Sequence, residues 1–348
     1  MELDNLHFNT SVIDGTQKPI CFAVSGREDG KSTTAHLKAY DRFRQTRATT
    51  IVFKRLITDI TPLGVESMFA PIEKFRGVSL HPKYRKDDIS NGVCPVMVDG
   101  SMMYLIIALA VPKTRYKSLV VNNPAFFLFD EFICDTRAGE KYLPSEVFRF
   151  KEAYSTFYRE GSNVKCYFFG NPYSLYNPYF LEYGISPSEL ASKRLITGAN
   201  WVAQYHSLNP ELVKRILAKN PLHKFDDDYF KYAVEGQAIN DMNVRIMPSQ
   251  PRDFALSCVF LFEGRYYGLW RSKTYDFDLM YWVGHIDNIS KERKVFCFDF
   301  KDLCEGSMLF NRMERERFSG LVRSMRARRV AFEDLSCNNA MEEIYRYL

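Results

Sequence analysis

The chain has 348 residues, of which 46% are hydrophobic and 26% are charged, and its formal net charge is +5. This composition excludes a largely disordered chain, the length leaves room for two domains, and the charge is too small to identify a nucleic-acid partner by itself. The eight cysteines include no C-x-x-C pair, which argues against a zinc site and against a secreted disulfide framework. The acidic N-terminus does not resemble a signal peptide, and the most apolar stretch, residues 101–112, is too short to cross a bilayer. We therefore expect a cytosolic protein without a membrane partner.

Strand-like and helix-like segments alternate from residue 19 onward. Helical spacing of apolar residues predicts helices within residues 31–45 and 144–160. Short apolar runs predict strands within residues 19–26, 51–57, 101–110, 125–132 and 164–170. Because alternating strands and helices indicate a parallel sheet, residues 1–207 are expected to form an α/β domain.

The character of the sequence changes after this first domain. Residues 208–243 look helical and lack a strong β run, which is typical of a connector or lid. Farther on, apolar β-rich runs flank Glu263-Gly264, a pair that favours a hairpin turn. Residues 244–348 are therefore expected to form a smaller C-terminal domain of α+β type.

The segment SGREDGKST, residues 25–33, lies between the first predicted strand and the first predicted helix. A phosphate-binding loop needs this setting, because its backbone N–H groups and the helix N-terminus face the phosphates. In such a loop Lys31 would reach the β and γ phosphates and Ser32 would bind Mg²⁺. Gly30 precedes them as expected, but Ser25 replaces the first glycine and Gly26 follows one step later. By itself the segment is equally compatible with a surface loop ahead of a helix.

Two adjacent carboxylates follow the apolar run FFLF of residues 126–129. A carboxylate pair at the end of a buried strand is costly unless a cation or ligand compensates it. Asp130 can hold the Mg²⁺ shell and Glu131 can polarise the water that attacks a γ-phosphate. An acidic turn after a core strand is the simpler alternative, and the phosphate-loop segment upstream disfavours it.

The spacing of the segments narrows the class of ATPase. Between Lys31 and Asp130 the sequence supplies two further strands, at residues 51–57 and 101–110. An extra strand between the loop strand and the acidic strand, with Glu directly after Asp, indicates the additional-strand, catalytic-glutamate class of P-loop ATPases. Asn171 ends the next strand, where that class often places a sensor of the γ-phosphate, although a plain turn explains it equally well. Arg159, at the end of a predicted helix, would by itself only balance the helix dipole.

Residues 127–180 make the prediction more specific. Their motifs are Asp-Glu-Phe-Ile, then Tyr-hydrophobic-Pro-x-Glu-Val, then Tyr-Arg ahead of a strand, then Asn-Pro-Tyr-Phe. This block resembles the DNA-packaging ATPases, or encapsidation proteins, of small short-tailed phages of Gram-positive bacteria, which are related to terminase large subunits. The similarity is strong over residues 20–180 and weaker beyond.

The resemblance implies roles for particular residues. Lys31 and Ser32 match the nucleotide and Mg²⁺ residues of that family, and Asp130 and Glu131 match its acidic pair. Arg159 matches the arginine that acts in trans on the ATP of a neighbouring subunit.

Two further basic residues align with basic residues of the family, one of them less closely than the other. Lys117 falls near a second trans-acting cation, in a looser alignment, and Arg27 matches an arginine inside the family's phosphate loop. Glu28 and Asp29 depart from the small residues usual in that loop, so we expect them to point outward or one of them to pair with Arg27. The nucleotide-binding residues are thus predicted to be Ser25, Gly26, Arg27, Gly30, Lys31, Ser32, Thr33 and Asn171.

The C-terminal region of the family looks like an RNase H-type nuclease domain that has lost its chemistry. A two-metal nuclease needs about three converging carboxylates, and the sequence alone does not show convergence of Asp276, Asp278, Asp287 and Asp299. We therefore expect no nuclease activity. The arginine-rich run 312–329 is a candidate contact for RNA, DNA or a portal, or equally a solvated helix face.

These observations predict an ATP- and Mg²⁺-dependent translocase that drives double-stranded DNA into a procapsid as a ring of identical subunits, pentameric by resemblance. Its expected location is the host cytoplasm, transiently docked on the portal, with a structural packaging RNA as a further candidate partner. DNA would be held through its phosphates, with Lys83, Arg85 and Lys86 as candidate contacts. The alternatives are a helicase-type ATPase on single strands and a nucleotide-switched P-loop protein or kinase. A hydrolytic Glu131 argues against a kinase, because it would waste ATP.

Overall fold

The structure, a computed structural model, describes residues 6–135, 138–158, 164–175, 177–219, 244–274, 279–287, 294–327, 329–345 and 347–348. The chain divides into two compact units, Met1–Asn240 and Asp241–Leu348. The first contains an eight-stranded sheet and the second a six-stranded sheet. None of the helices in these ranges is both long and apolar enough to cross a membrane.

The first unit alternates strands and helices over most of its length. Its strands are β1 (Ile20–Val24), β2 (Thr49–Lys54), β3 (Val93–Val98), β4 (Ser101–Ala108), β5 (Pro124–Asp130), β6 (Cys166–Gly170), β7 (Leu195–Thr197) and β8 (Trp201–Tyr205). Its helices are α1 (Ser11–Gly15), α2 (Lys31–Thr46), α3 (Pro62–Ser67), α4 (Ala70–Arg76), α5 (Lys86–Ser90), α6 (Glu146–Phe157), α7 (Pro178–Tyr183), α8 (Pro187–Lys193) and α9 (Pro210–Lys219), with short 3-10 helices at Ile57–Asp59 and Lys113–Arg115.

The strands of the first sheet lie in the order β3-β4-β2-β5-β6-β1-β8-β7. The six central strands are mutually parallel, and β3 and β7 pair antiparallel at the two edges. The parallel sheet predicted for this region is confirmed. The strand that lies between β1 and β5 is β6, whereas the strands predicted at residues 51–57 and 101–110 are β2 and β4, on the other side of β5. The carboxyl ends of β1, β6 and β5 therefore meet at one edge.

Aromatic packing fixes the elements that carry this edge. Strands β1, β5 and β6 are buried over most of their length, as continuous apolar strands of a parallel sheet should be. Phe22 of β1 stacks on Phe168 of β6 with ring centroids 4.5 Å apart, and Phe168 lies 4.8 Å from Phe150 of α6. Phe132, just after β5, meets Tyr179 of α7 edge to face at 5.6 Å. The turn that follows the acidic strand is thus anchored in the core.

The second unit has its own core and a mixed sheet. Its strands are β9 (Phe254–Phe262), β10 (Arg265–Ser272), β11 (Tyr281–His285), β12 (Val295–Cys297), β13 (Ser307–Leu309) and β14 (Val330–Phe332), in the order β13-β12-β9-β10-β11-β14. Its helices are α10 (Ser319–Arg326) and α11 (Leu335–Tyr345), with 3-10 helices at Phe300–Asp302, Arg312–Glu314 and Glu316–Phe318. Glu263 and Gly264 join β9 to β10 with positive φ angles of 49° and 72°, which confirms the predicted hairpin.

Only the start of the helical connector predicted over residues 208–243 falls within the described residues. Helix α9 covers Pro210–Lys219 and belongs to the first unit. The remainder of the predicted connector, residues 220–243, lies outside the described residues.

Candidate functional site

The phosphate-loop segment occupies the expected setting, after β1 and before α2. Gly30 precedes the helix with a φ of +86°, a left-handed conformation that glycine adopts without strain. Gly30 has no side chain to cap α2, so no capping bond occupies the first-turn N–H groups, which in any α-helix point toward its N-terminus and here toward the loop. Such an end attracts anions, because the unpaired N–H groups and the helix dipole both favour negative charge.

The ammonium group of Lys31 lies inside the curve of the loop. Its Nζ donates to the carbonyl oxygens of Ser25 and Gly26, each at 3.0 Å, and to Ser25 Oγ at 2.8 Å. Asn171 Oδ1, at the end of β6, is 3.4 Å from the same atom. Burial lowers the pKa of Lys31 to about 8, although the nearby carboxylates of Asp29 and Asp130 oppose the shift. The loop and the tip of β6 therefore hold the buried Lys31 ammonium at the position where a phosphate would bind.

The acidic tip of β5 reaches the start of α2. Ser32 Oγ donates to Asp130 Oδ2 at 2.7 Å, so Lys31 and Asp130 share one pocket at one edge of the sheet. The two oxygens lie close to the spacing that Mg²⁺ requires, because adjacent ligands of an octahedral site with metal–oxygen distances of about 2.1 Å lie about 3.0 Å apart. Ser32 and Asp130 are thus chemically and geometrically suited to a magnesium shell.

Glu131 adopts an unusual backbone conformation directly after Asp130. Its φ is +63°, and its N–H donates to Phe169 O of β6 at 2.7 Å. The residue as a whole is exposed, yet the pKa of its carboxyl is raised, first because neighbouring protein atoms desolvate it and second because Asp130 adds negative charge. A carboxylate with a raised pKa is a stronger base, as long as it remains ionised at neutral pH.

An ion pair that the sequence did not reveal fixes the backbone of Glu131. Arg55, which follows β2, is buried and bonds Glu146 of α6, with Nε 2.9 Å from Oε2. The same guanidinium donates to Glu131 O at 3.3 Å and to Phe132 O at 2.8 Å. Burial alone would lower the pKa of Arg55, but the Glu146 carboxylate raises it above its ordinary value. Tyr179 donates to Glu146 Oε1 at 2.9 Å, so the anchor is itself held in place.

A cavity of about 370 Å³ opens beside Ser32 and Asp130 and is also lined by Thr33, His36 and Lys54. Burial lowers the pKa of His36 to about 4. Lys54 ends β2, and its side chain forms no hydrogen bond or ion pair with any described residue. Its positive charge opposes the rise in the pKa of Glu131. Basic residues at the carboxyl end of a parallel strand are the signal that could have pointed to Lys54 and Arg55.

The two acids in the phosphate loop behave differently from each other. Glu28 is exposed, with a φ of +61°. Asp29 is fully buried, and its Oδ2 lies 2.8 Å from Nδ1 of His206, the residue after β8. The expectation that these acids point outward or pair with Arg27 is therefore wrong for Asp29, because its carboxylate turns into the protein to meet the histidine. Arg27 instead donates to the hydroxyl of Tyr173 at 2.8 Å.

Of the two predicted trans-acting cations, only Lys117 is among the described residues. Lys117 is exposed just after the 3-10 helix Lys113–Arg115, and its side chain forms no hydrogen bond or ion pair within the described ranges. Arg159 lies outside the described residues. Both roles remain predictions.

The acids named for the C-terminal region are only partly described. Asp299 accepts the Lys301 N–H at 3.1 Å and so caps the 3-10 helix that follows it, while Asp287 is exposed. Asp276 and Asp278 lie outside the described residues. In the arginine-rich run, Arg323 is exposed on α10, whereas Arg315 donates to Tyr347 O at 3.2 Å within its own unit.

Comparisons with known proteins show the family of the chain and its fold. The profile of the family described as Podovirus DNA encapsidation protein (Gp16) matches residues 3–348. The DNA packaging protein of Bacillus phage phi29 is 25% identical over 184 residues, a match that spans 53% of this chain and about half, 52%, of that relative.

Solved structures extend the likeness in fold to both units. The chain in the structure described as the bacteriophage Phi-29 viral genome packaging motor assembly is similar with a TM-score of 0.70, at 19% identity and with 99% of each chain covered. The N-terminal domain of the DNA packaging ATPase from bacteriophage phi29 is similar with a TM-score of 0.50 and 24% identity, over 59% of this chain and 99% of that one. At these identities the likeness establishes the mixed α/β fold with its parallel sheet.

Proposed function

Because the chain belongs to the Podovirus DNA encapsidation protein (Gp16) family, we propose that it is an ATP-driven translocase that packages double-stranded viral DNA into a preformed procapsid. The observation that carries the proposal is the pocket shared by Lys31, Ser32 and Asp130, in which Ser32 Oγ lies 2.7 Å from Asp130 Oδ2. A buried cation, two hard oxygen ligands and a helix N-terminus at one point are the groups that a magnesium-bound triphosphate requires.

The proposed mechanism assigns each group one task. Lys31 and the loop of residues 25–33 bind the β and γ phosphates, and Asn171 contacts the γ-phosphate end. Ser32 and Asp130 would hold Mg²⁺, which when bound would supply positive charge to neutralise the phosphates. Glu131 orients and deprotonates the attacking water, while its backbone is held by Arg55. Arg159 of a neighbouring subunit, with Lys117 as a second cation, stabilises the charge that builds on the transferred phosphoryl group.

Strand order supports the finer classification of both units. In the first sheet β6 lies between β1 and β5, and Glu131 follows Asp130 directly, as in the additional-strand, catalytic-glutamate class. In the second sheet the order β11-β10-β9-β12-β13 has an antiparallel triplet followed by strands parallel to β9, which is the arrangement of RNase H-like sheets. We propose a P-loop ATPase domain at 1–207, a helical connector at 208–243 and a nuclease-inactive RNase H-like domain at 244–348.

The proposed partners follow from the family and from the task. A packaging motor must accept any sequence, so its contacts should be to DNA phosphates. Lys83, Arg85 and Lys86 are exposed and are candidates for those contacts. The arginine-rich run 312–329 is a candidate contact for the portal or for a structural packaging RNA. We propose a homo-oligomeric ring, pentameric by analogy with the family, in the host cytoplasm and transiently docked on the procapsid.

The test of the proposal is the ATPase rate with and without linear duplex DNA. Strong stimulation by duplex DNA supports the translocase, preference for single strands supports a helicase, and indifference to DNA supports a nucleotide-switched protein. Glu131→Gln and Lys31→Ala are expected to abolish turnover, with Glu211→Gln, an exposed glutamate on α9, as the matched control. Full turnover by Glu131→Gln would refute the assigned base.

The trans-acting arginine has a test of its own. Arg159→Ala is expected to bind nucleotide but not to hydrolyse it, and to inhibit wild-type subunits when the two are mixed, because each ring would contain defective interfaces. Arg42→Ala, which alters an exposed arginine of α2, is the control. Normal hydrolysis by Arg159→Ala would refute the assignment.

A further inference from the structure

The carboxylate of Asp29 is an anomaly within the phosphate loop. It lies two residues before Lys31, in a segment that should attract anions, and its side chain is fully buried. Its Oδ2 is 2.8 Å from His206 Nδ1, and its Oδ1 is buried without any hydrogen-bond partner among the described residues. A buried carboxylate with one unpaired oxygen is unfavourable, so its position needs a reason.

His206 is held in place by two contacts that do not involve its own charge, and one of the two partners, Phe8, is itself bonded to the loop and to α2. Its N–H donates to Val24 O at 2.8 Å, which continues the pairing of β8 with β1 to the point where the loop begins. Its ring meets Phe8 edge to face at 5.5 Å. Phe8 in turn donates its N–H to Asp29 O at 2.8 Å, and Thr34 Oγ1 donates to Phe8 O at 2.7 Å. The imidazole therefore stands at a fixed position behind the loop.

Without that imidazole, the Asp29 carboxylate would keep neither of its oxygens paired, and its charged form would be stabilised by moving toward a donor. Two groups of the proposed phosphate site could compensate the displaced carboxylate. Asp29 is the largest single electrostatic contributor that opposes the lowered pKa of Lys31, so the ammonium is already within range of its charge. The free N–H groups at the start of α2 are the other donors close by. Both are groups that the triphosphate needs.

We propose that His206 is a positioning residue that keeps the Asp29 carboxylate out of the phosphate cradle. The pair solves the problem of an acid placed inside a loop that must bind a polyanion, because the histidine holds that acid at a buried position by the contact between Nδ1 and Oδ2. This inference rests on the proposed nucleotide-binding function of the loop. It adds His206, the residue after β8, to which the proposed mechanism assigns no contact with phosphate or metal.

The test is equilibrium binding of a fluorescent, non-hydrolysable ATP analogue and of fluorescent ADP to the full chain. His206→Ala is expected to weaken binding of the ATP analogue by about tenfold or more, since a carboxylate in the cradle repels the polyphosphate. Binding of ADP is expected to weaken by a smaller factor, because ADP carries less negative charge. Adding Asp29→Asn to His206→Ala is expected to restore binding to within about threefold of wild type, because the repelling charge is gone.

Three further variants separate this role from a general structural one. His206→Asn retains a donor and is expected to bind close to wild type, and His81→Ala, at an exposed histidine, is the control. Asp29→Asn alone should bind the analogue at least as tightly as wild type, and it keeps the proposal testable if His206→Ala does not fold. Unchanged binding by His206→Ala, failure of Asp29→Asn to restore it, or weaker binding by Asp29→Asn alone overturns the inference. Absence of nucleotide binding by wild type would instead refute the proposed function.

Discussion

Replacement of Glu146 by Gln tests the anchor beneath Glu131. The Glu146 carboxylate is 1% exposed and the Arg55 side chain 9% exposed, so the substitution leaves a buried guanidinium without its counter-charge. Removal of one partner from a buried pair costs about 3–5 kcal/mol. Because a domain is stable by only about 5–15 kcal/mol, this loss should be easy to measure.

The assay is equilibrium urea unfolding, followed by hydrogen exchange of peptides from β5 and α6, which reports on the first unit by itself. Glu182→Gln is the matched control, because the pair that Glu182 forms with Lys151 is roughly half exposed, and such pairs contribute about 1 kcal/mol or less. A loss below about 1 kcal/mol in Glu146→Gln would refute the reasoning, since the pair would then behave like one at the surface.

The double variant Arg55→Met with Glu146→Gln separates stability from activity. With both charges removed, at least about 2 kcal/mol of the lost stability should return, because the uncompensated charge is gone. ATP turnover should stay low, since the carbonyl groups of Glu131 and Phe132 still lack the guanidinium that donates to them. Recovery of stability and turnover together would show that the anchor does not position the base.

Three other predictions follow from the pKa values and the backbone. Since the pKa of Lys31 is lowered to about 8 and phosphates need its charged form, affinity for a non-hydrolysable ATP analogue should fall as pH rises above 8. Lys31→Arg should remove that dependence, because its guanidinium stays charged; equal pH dependence would contradict the assignment. Burial lowers the pKa of His36 from 6.5 to about 4. Between these two pH values the folded state therefore binds fewer protons than the unfolded state. The free energy of unfolding should therefore drop as pH falls from 6.5 to 4, and His36→Gln should flatten the drop; an unchanged slope would exclude His36 as its source. Glu28→Gly should raise the free energy of unfolding by up to about 1 kcal/mol by relieving the positive φ, and a lower urea midpoint would argue against strain there.

The elements that carry the site were predictable because their signals are local. An apolar run followed by small residues and Gly30-Lys31-Ser32 predicts a strand, loop and helix, and the Asp130-Glu131 pair marks the end of a second buried strand. Since parallel strands place their carboxyl ends at one edge, the meeting of these groups could be inferred as well. Strand β3 was missed because Pro95 interrupts its apolar run, and its place at the edge of the sheet is where proline is tolerated.

The contacts that orient the site were not predictable, because they join distant parts of the chain. Arg55 and Glu146 are 91 residues apart, and Asp29 and His206 are 177 residues apart. Each of these residues by itself resembles an ordinary polar residue at the end of an element. Only the sheet order, which brings β2 beside β5 and β8 beside β1, makes them neighbours.

The hydrogen bonds that Lys31 and Ser32 make within the protein bear on the energetics of nucleotide exchange. The ammonium donates to oxygens of its own loop, and the Ser32 hydroxyl donates to Asp130. When a nucleotide binds, it would replace these hydrogen bonds with new ones to its phosphates. When the product leaves, the hydrogen bonds within the protein would form again. In neither event would a charged group be left without a hydrogen-bond partner. The exchange of nucleotide at these two side chains should therefore be accompanied by only a small net change in hydrogen-bond enthalpy.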